Sequence, residues 1–161
     1  MVYAKEEDAK VLLEQYHIPY EELKHHAITS VRDTDIVLPG QQVKNLFLKN
    51  KKGKHYYLII LLDEKMADIN RIAEQIGEKR LSFASSERLE EVLKVPAGTV
   101  TPFALLYDQD LKVSLILDKD IDQNVTLGFH PFINTKTWMI SFKDFDKLMK
   151  SLNHPITFLD C

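Results

Sequence analysis

The sequence predicts an α+β fold: a single domain with a mixed, mostly antiparallel sheet flanked by helices. Apolar residues recur at the 3.6-residue spacing of amphipathic helices in four segments, and short apolar runs bounded by turn residues indicate strands between them. Hairpin-like pairs of strands are interspersed with these helices along the chain. That order is typical of α+β domains.

The first predicted element of the chain is a helix. A first helix has its apolar stripe within residues 9–16 and is terminated by Pro19. A short extended piece follows at residues 19–23, and the polar segment 29–35 is predicted to open a helix or turn. Pro39-Gly40 is a strong break, so a new segment begins after it.

An apolar hairpin is predicted next. Residues 43–48 and 55–62 are β-like, and a lysine-rich turn around Gly53 connects them. The second run is apolar at successive positions, which is typical of a strand that is covered on both faces. We therefore expect helices on both sides of the sheet.

Two helices are predicted after the hairpin. The first has an apolar stripe over residues 69–76 and stops at Gly77, a residue suited to a left-handed C-terminal position. Ser85 or Ser86 can cap the second, which ends before Pro96.

The last third of the chain returns to strands. Residues 102–107 and 113–117 flank a polar turn and are predicted to form a second hairpin. A further strand is predicted over residues 137–140. Ser141 stands three residues before Asp144 in a capping-box arrangement, which predicts that a final helix begins there.

Length and composition favour one ordinary globular domain spanning residues 1–161. The chain has 45% hydrophobic and 28% charged residues, with no low-complexity tract. The start lacks a signal sequence, and the longest apolar run, residues 56–62, is too short to cross a bilayer. Its one cysteine, Cys161, excludes an intrachain disulfide. We therefore expect a soluble cytoplasmic protein without a membrane partner; the oligomeric state is left open.

The residues alone indicate a binding site without naming a reaction. The net charge of −3 means that contact with a polyanion needs a local basic patch, such as Lys49, Lys51, Lys52 and Arg80. Nucleophile elbow, phosphate-binding loop, HExxH and CxxC motifs are absent. His25-His26 does not suggest a metal site, because adjacent strand residues point to opposite faces. A lysine beside an amide, a glycine turn and a histidine before proline can nevertheless hold an oxygen-rich ligand and polarise a carbonyl.

Four motifs occur in order along nearly the whole chain. They are KNLFLK at residues 44–49, RLSFAS at 80–85, GTVTPF at 98–103 and FHPxxNT at 129–135. In this order they resemble the YbaK/prolyl-tRNA synthetase-associated editing family, and within it the free-standing alanyl-type prolyl-tRNA deacylase branch. The resemblance implies a compact mixed sheet with helices on its sides and hydrolysis of mischarged tRNA(Pro) carrying alanine. It implies no metal and no cofactor, with the terminal ribose hydroxyl of the tRNA helping to activate water.

The resemblance also implies roles for individual residues. Lys44 would contact the 3′-terminal nucleotide or the developing negative charge, and Asn45 would orient the same end. Gly98 would open a loop whose backbone positions the ester or water, with Pro102 fixing its far side. His130 would hold the substrate by a hydrogen bond. Two further residues, Asn134 as a neighbour of His130 and Arg80 in the basic patch, complete the predicted substrate-binding set.

Alternatives remain open at this level. Each motif residue has a structural explanation, as a strand-end lysine, a turn glycine or a hydrogen-bonded histidine. The chain could be a non-catalytic module that binds aminoacyl-tRNA or a partner protein, a deacylase preferring Cys- or Ser-tRNA, or a hydrolase of small free esters. Prolyl-tRNA synthetase is a second candidate partner.

Overall fold

The computed structural model describes residues 2–25 and 40–161. The segment predicted to open a helix or turn, residues 29–35, lies outside the described residues, as do His26 and Pro39. The helices are α1 (Glu6–Gln15), α2 (Ile69–Ile76), α3 (Ser86–Leu93), a 3₁₀ helix (Pro102–Tyr107) and α4 (Phe142–Ser151). The strands are β1 (Glu21–Lys24), β2 (Val43–Asn50), β3 (Tyr56–Leu62), β4 (Leu81–Phe83), β5 (Val113–Asp118), β6 (Leu127–Phe129), β7 (Lys136–Ile140) and β8 (Ile156–Leu159).

The predicted helix ends are confirmed where local chemistry specifies them. The side chains of Ser85 and Ser141 accept the backbone N–H groups of Arg88 and Asp144, which caps α3 and α4. Gly77 ends α2 in the left-handed region at φ +75. None of the helices in the described parts of the chain is long and apolar enough to cross a membrane.

A five-stranded sheet with the order β4-β2-β3-β5-β8 forms the centre of the structure. The predicted hairpin of β2 and β3 is confirmed, with antiparallel register from Val43 opposite Leu62 to Lys49 opposite Tyr56. β3 is also the predicted central strand, because its successive residues contribute to apolar clusters on the two faces of the sheet. Parallel pairing of β3 with β5 and of β5 with β8 makes the sheet mixed.

A smaller antiparallel sheet has the order β1-β7-β6. It is joined to the first sheet through one isolated parallel bridge between Gln41 and Leu127. A Cβ at Gly128 would lie 2.6 Å from the sulfur of Met139 and 2.7 Å from Cγ2 of Thr137, so both side chains would have to shift to accommodate a larger residue. Between the two sheets lies the larger core, which includes Phe47, Phe103 and Trp138. The predicted α+β class with mostly antiparallel strands is therefore confirmed, with the strands divided between two sheets.

The second predicted hairpin is wrong. Residues 102–107 form the 3₁₀ helix, and β5 pairs in parallel with β3 instead of folding back on its predecessor. Pro102 occupies the first helical turn, where its missing N–H costs nothing, and the buried hydroxyl of Thr101 caps that turn by accepting the Phe103 N–H. A short apolar run of this kind is compatible with either a strand or a helix, so the spacing of its apolar residues could not distinguish the two.

Candidate active site

The candidate site lies at an open edge of β2. This strand pairs with β3 along its length, but with β4 only from Leu48 to Asn50. On the same edge as β4, the Gln41–Leu127 bridge attaches the start of the strand to β6. Within the described ranges, no strand pairs with β2 between these two points. Among the described residues, the edge is therefore unpaired at residues 43–46, whereas from Phe47, whose carbonyl accepts the Ala84 N–H, it is bonded to the segment that contains β4.

The backbone of this interval carries hydrogen-bonding groups that face the open edge. The neighbouring even-numbered residues bond to β3, since Gln42 accepts the Asp63 N–H and Asn50 donates to the His55 carbonyl. Alternation in an antiparallel ladder then directs the N–H and C=O groups of Val43 and Asn45 away from β3. The site thus has backbone donors and acceptors as well as side chains.

Lys44 is half-buried on β2 and lies opposite Leu61 of β3. It shares its face of the strand with Leu46 and Leu48, which belong to the smaller apolar cluster. Its ammonium makes no ion pair or hydrogen bond with any residue of the described ranges. The charge is consequently available to an oxygen-rich ligand.

Asn45 projects on the opposite face, toward the larger core. Its Oδ1 atom is buried and has no hydrogen-bond partner among residues 2–25 and 40–161. Leaving a buried polar atom unsatisfied costs about 1–3 kcal/mol, so such an atom indicates a place for an additional donor. The amide therefore fits the predicted role of orienting a ligand.

His130 directly follows β6, and Lys44 lies near the start of β2, the two chain segments that the bridge joins. Each of these two residues lies three positions beyond a bridge partner, Gln41 on one strand and Leu127 on the other. The Nδ1 atom of His130 is 2.9 Å from the carbonyl oxygen of Lys136. Because a carbonyl only accepts, Nδ1 donates, and the lone pair of the neutral ring lies on Nε2.

A second histidine, His25, lies beside His130. The His25 ring centroid is 6.1 Å from that of His130, and His25 Nε2 lies 2.8 Å from the Thr137 hydroxyl oxygen. Burial of His130 lowers its pKa from the usual 6.5, and charge on His25 lowers it further, against the opposing effect of the Lys136 carbonyl. His130 is therefore neutral at pH 7. Sequence reasoning missed His25 because the pairing of β1 with β7 that places it there has no local signal.

The loop from Gly98 to Pro102 is anchored in the core beside these elements. Gly98 is exposed with φ +92, a conformation that favours glycine, while Thr101 is completely buried and Pro102 is buried beside it. Phe103 fixes the end of the loop, since its ring lies 5.9 Å from that of Phe129 immediately before His130.

The remaining two predicted residues differ in position. Asn134 lies in the turn between β6 and β7, whose ends the bond from His130 to Lys136 ties together. Arg80 precedes β4 and lies beside the far end of β2, since Leu81 pairs with Asn50. The structure thus places Lys44 and Asn45 at the start of β2 and Arg80 beside its other end, while His130 follows the strand that is bridged to the segment before β2. Across residues 2–25 and 40–161, no three His, Cys, Asp or Glu side chains are grouped as metal ligands.

Comparison with known proteins identifies the family. Residues 24–148 match the aminoacyl-tRNA editing domain. The prolyl-tRNA editing protein ProX of Acetoanaerobium sticklandii is 32% identical over 142 residues, covering 86% of this chain and 87% of the relative. A prolyl-tRNA synthetase associated domain-containing protein of Bos taurus is 37% identical over 121 residues, covering 73% of this chain and 70% of the relative.

Solved structures share the fold at low sequence identity. A candidate trans-editing enzyme for prolyl-tRNA synthetase superposes with a TM-score of 0.67 and 17% identity, covering 97% of this chain and 96% of that structure. The domain match and the identity to ProX show that the chain belongs to the family of aminoacyl-tRNA editing domains, which are deacylases of aminoacyl-tRNA.

Proposed function

We propose that this protein hydrolyses the ester of mischarged tRNA(Pro) in trans, with Ala-tRNA(Pro) as its preferred substrate. The observation that carries the proposal is the placement of Lys44 and His130 three residues beyond the same bridge, at an open strand edge. Lys44 presents an ammonium that is unpaired among the described residues, and His130 presents a neutral ring whose Nε2 lone pair has no partner among them. The Acetoanaerobium relative, ProX, is a prolyl-tRNA editing protein, which supports tRNA(Pro) as the tRNA of the substrate.

A physical need for such an enzyme follows from the limits of amino-acid selection. A synthetase pocket shaped for proline excludes a smaller side chain poorly, because each missing methylene is worth only about 1–3 kcal/mol. A separate site that accepts the small aminoacyl group and excludes the larger one restores accuracy.

The proposed reaction is a single hydrolysis without a covalent enzyme intermediate. Water adds to the ester carbonyl carbon, the carbon–oxygen bond to the ribose breaks, and the ribose oxygen takes up a proton. Free alanine and tRNA are the products. The Lys44 ammonium and the backbone N–H of Asn45 stabilise the negative charge that develops on the carbonyl oxygen. The loop from Gly98 to Pro102 positions the ester, and Nε2 of His130 accepts a hydrogen bond from the substrate.

The pH dependence of hydrolysis tests the role of His130. Because its pKa lies below 6.5, the neutral acceptor form is populated above that value and is lost only as the pH falls through the lowered pKa. We expect kcat/KM of the wild type, divided by that of His130→Gln, to be constant near neutral pH and to fall on the acid side. Rates measured between about pH 5 and 8 would show this. The substrate amino group titrates in the same way with both enzymes, so its effect cancels in the ratio. A ratio that does not change with pH would contradict the role of neutral His130 as an acceptor.

The function itself is tested by deacylation time courses with alanyl-, prolyl- and cysteinyl-tRNA(Pro). Rapid loss of alanine with proline retained supports the proposal. Faster release of cysteine would instead make the protein a cysteine-preferring deacylase. If all three esters decay at their uncatalysed rates, the hydrolytic role is excluded.

A further inference from the structure

Basic and acidic residues are segregated in this chain. Residues 40–62 and 79–86 contain seven lysines and arginines and no aspartate or glutamate. The rest of the chain carries fourteen basic and twenty-four acidic residues. A protein with a net charge of −3 therefore contains a strongly basic portion inside an acidic remainder.

The fold brings the two basic segments together. β4 pairs with the end of β2, with Asn50 opposite Leu81 and Lys49 opposite Ser82. Arg80 consequently lies beside the turn that follows β2. We call the resulting area the hairpin surface, and it comprises Lys49, Lys51, Lys52, Lys54, Lys79 and Arg80.

The basic side chains of the hairpin surface form no ion pair with any residue in the described parts of the chain. All six are exposed except Lys49, which is half-buried. Elsewhere, Lys65, Arg71, Lys136 and Lys150 are each paired with a carboxylate. Like charges that are concentrated without counter-charges are typical of a surface that binds a polyanion.

The position of this surface relative to the site suggests which polyanion it binds. β2 begins at the candidate site and ends at the hairpin surface, so Lys44 and Asn50 are separated by six residues of strand, about 20 Å. The acidic remainder of the protein repels nucleic acid, which leaves this edge as the favourable approach. A substrate whose ester lies at Lys44 would extend its chain along β2 toward these lysines.

We propose that the hairpin surface binds the phosphates of an RNA duplex stem that adjoins the aminoacylated single-stranded 3′ end in the site. This inference rests on the proposed function and adds a second contact at a distance from the reacting ester. The contact does not recognise individual bases. It increases affinity through the release of counterions, so this contribution decreases as the salt concentration rises.

The test compares two substrates and two charge-reversal variants. The substrates are alanyl-tRNA(Pro), which has the stem, and the alanyl ester of the trinucleotide CCA, which lacks it. Lys51→Glu/Lys52→Glu reverses two exposed charges of the hairpin surface. Lys143→Glu/Lys147→Glu makes the same change on the exposed face of α4, which contacts β8 at the edge of the sheet opposite β4.

We expect the ratio of kcat/KM on alanyl-tRNA to kcat/KM on the CCA ester to fall about tenfold or more in the hairpin variant at ~0.1 M salt. The slope of log kcat/KM against log salt should become shallower by about 2 with alanyl-tRNA. In the α4 variant the ratio should remain within about twofold of the wild type. Lys51→Gln/Lys52→Gln should give a smaller change in the same direction, and thermal melting verifies that each variant is folded.

The outcomes separate this inference from the proposed function. An unchanged ratio in the hairpin variant, with alanyl-tRNA still hydrolysed, overturns the stem contact and leaves the deacylase role intact. Equal losses in the two variants also overturn it, because they would reflect net charge alone. If the wild type hydrolyses neither ester, the proposed function fails and the stem contact fails with it.

Discussion

Replacing Lys44 by alanine is expected to slow hydrolysis of alanyl-tRNA(Pro) by about a hundredfold or more while leaving the fold intact. Removing one preorganised donor to a developing oxyanion typically costs roughly 3–4 kcal/mol of transition-state stabilisation. The side chain is half-buried and makes no ion pair within the described residues, so its loss removes no internal partner. Single-turnover deacylation rates of the wild type and variant measure the effect, and thermal melting verifies the fold.

A matched control separates the position from the charge. Lys119→Ala removes one exposed lysine after β5 and should leave the rate within about twofold, because surface substitutions are usually worth under ~0.5 kcal/mol. A folded Lys44→Ala protein with the wild-type rate would remove the lysine from the proposed chemistry. Loss of folding in Lys44→Ala would contradict the view that this side chain serves a ligand.

Replacing Asp108 by alanine is expected to lower the free energy of unfolding by about 3–5 kcal/mol, because each hydrogen bond to a charged group contributes about 1.5–3 kcal/mol and the buried donors would be left unsatisfied. Asp108 is 4% exposed and accepts the backbone N–H groups of Lys112 and Val113 at 3.0 and 2.8 Å. It also lies 2.9 Å from Nε2 of the equally buried His154. One carboxylate thus joins the end of the 3₁₀ helix, the start of β5 and the chain after α4.

Chemical denaturation at neutral pH measures this loss. Asp110→Ala, two residues further on and exposed, is the control and should change stability by under ~0.5 kcal/mol. If the free energy of unfolding falls by under ~0.5 kcal/mol in both variants, the hydrogen bonds of Asp108 do not hold these elements together.

The difference between the wild type and Asp108→Ala should also depend on pH. Burial by itself raises the pKa of Asp108, but the hydrogen bond from His154 and the two backbone N–H groups outweigh burial and lower it. A carboxylate with a lowered pKa contributes its stabilisation in full above its ordinary pKa, about 3.9, and loses it as the pH falls through the lower folded value. The two denaturation free energies should therefore converge in acid, and a constant difference there would contradict an ionised, hydrogen-bonded Asp108 carboxylate.

Elements with a local signal were predictable from the sequence. The caps at Ser85 and Ser141, the left-handed Gly77 and the hairpin around Gly53 each depend on residues a few positions apart, and all four are present in the structure. The strands β4, β6 and β8 were missed, because each has only three or four residues and is held by a distant partner.

The candidate site likewise has features that the sequence indicated and features that depend on long-range pairing. The sequence by itself indicated the candidate residues, because Lys44, Asn45, Gly98 and His130 stand in short motifs that resemble those of the editing family. Only the tertiary structure decided their arrangement: the bridge between Gln41 and Leu127 joins residues 86 positions apart, and the hydrogen bond between His25 and Thr137 joins residues 112 apart. Pairings at such separations depend on the packing of the whole core, whereas caps and turns depend on their immediate neighbours.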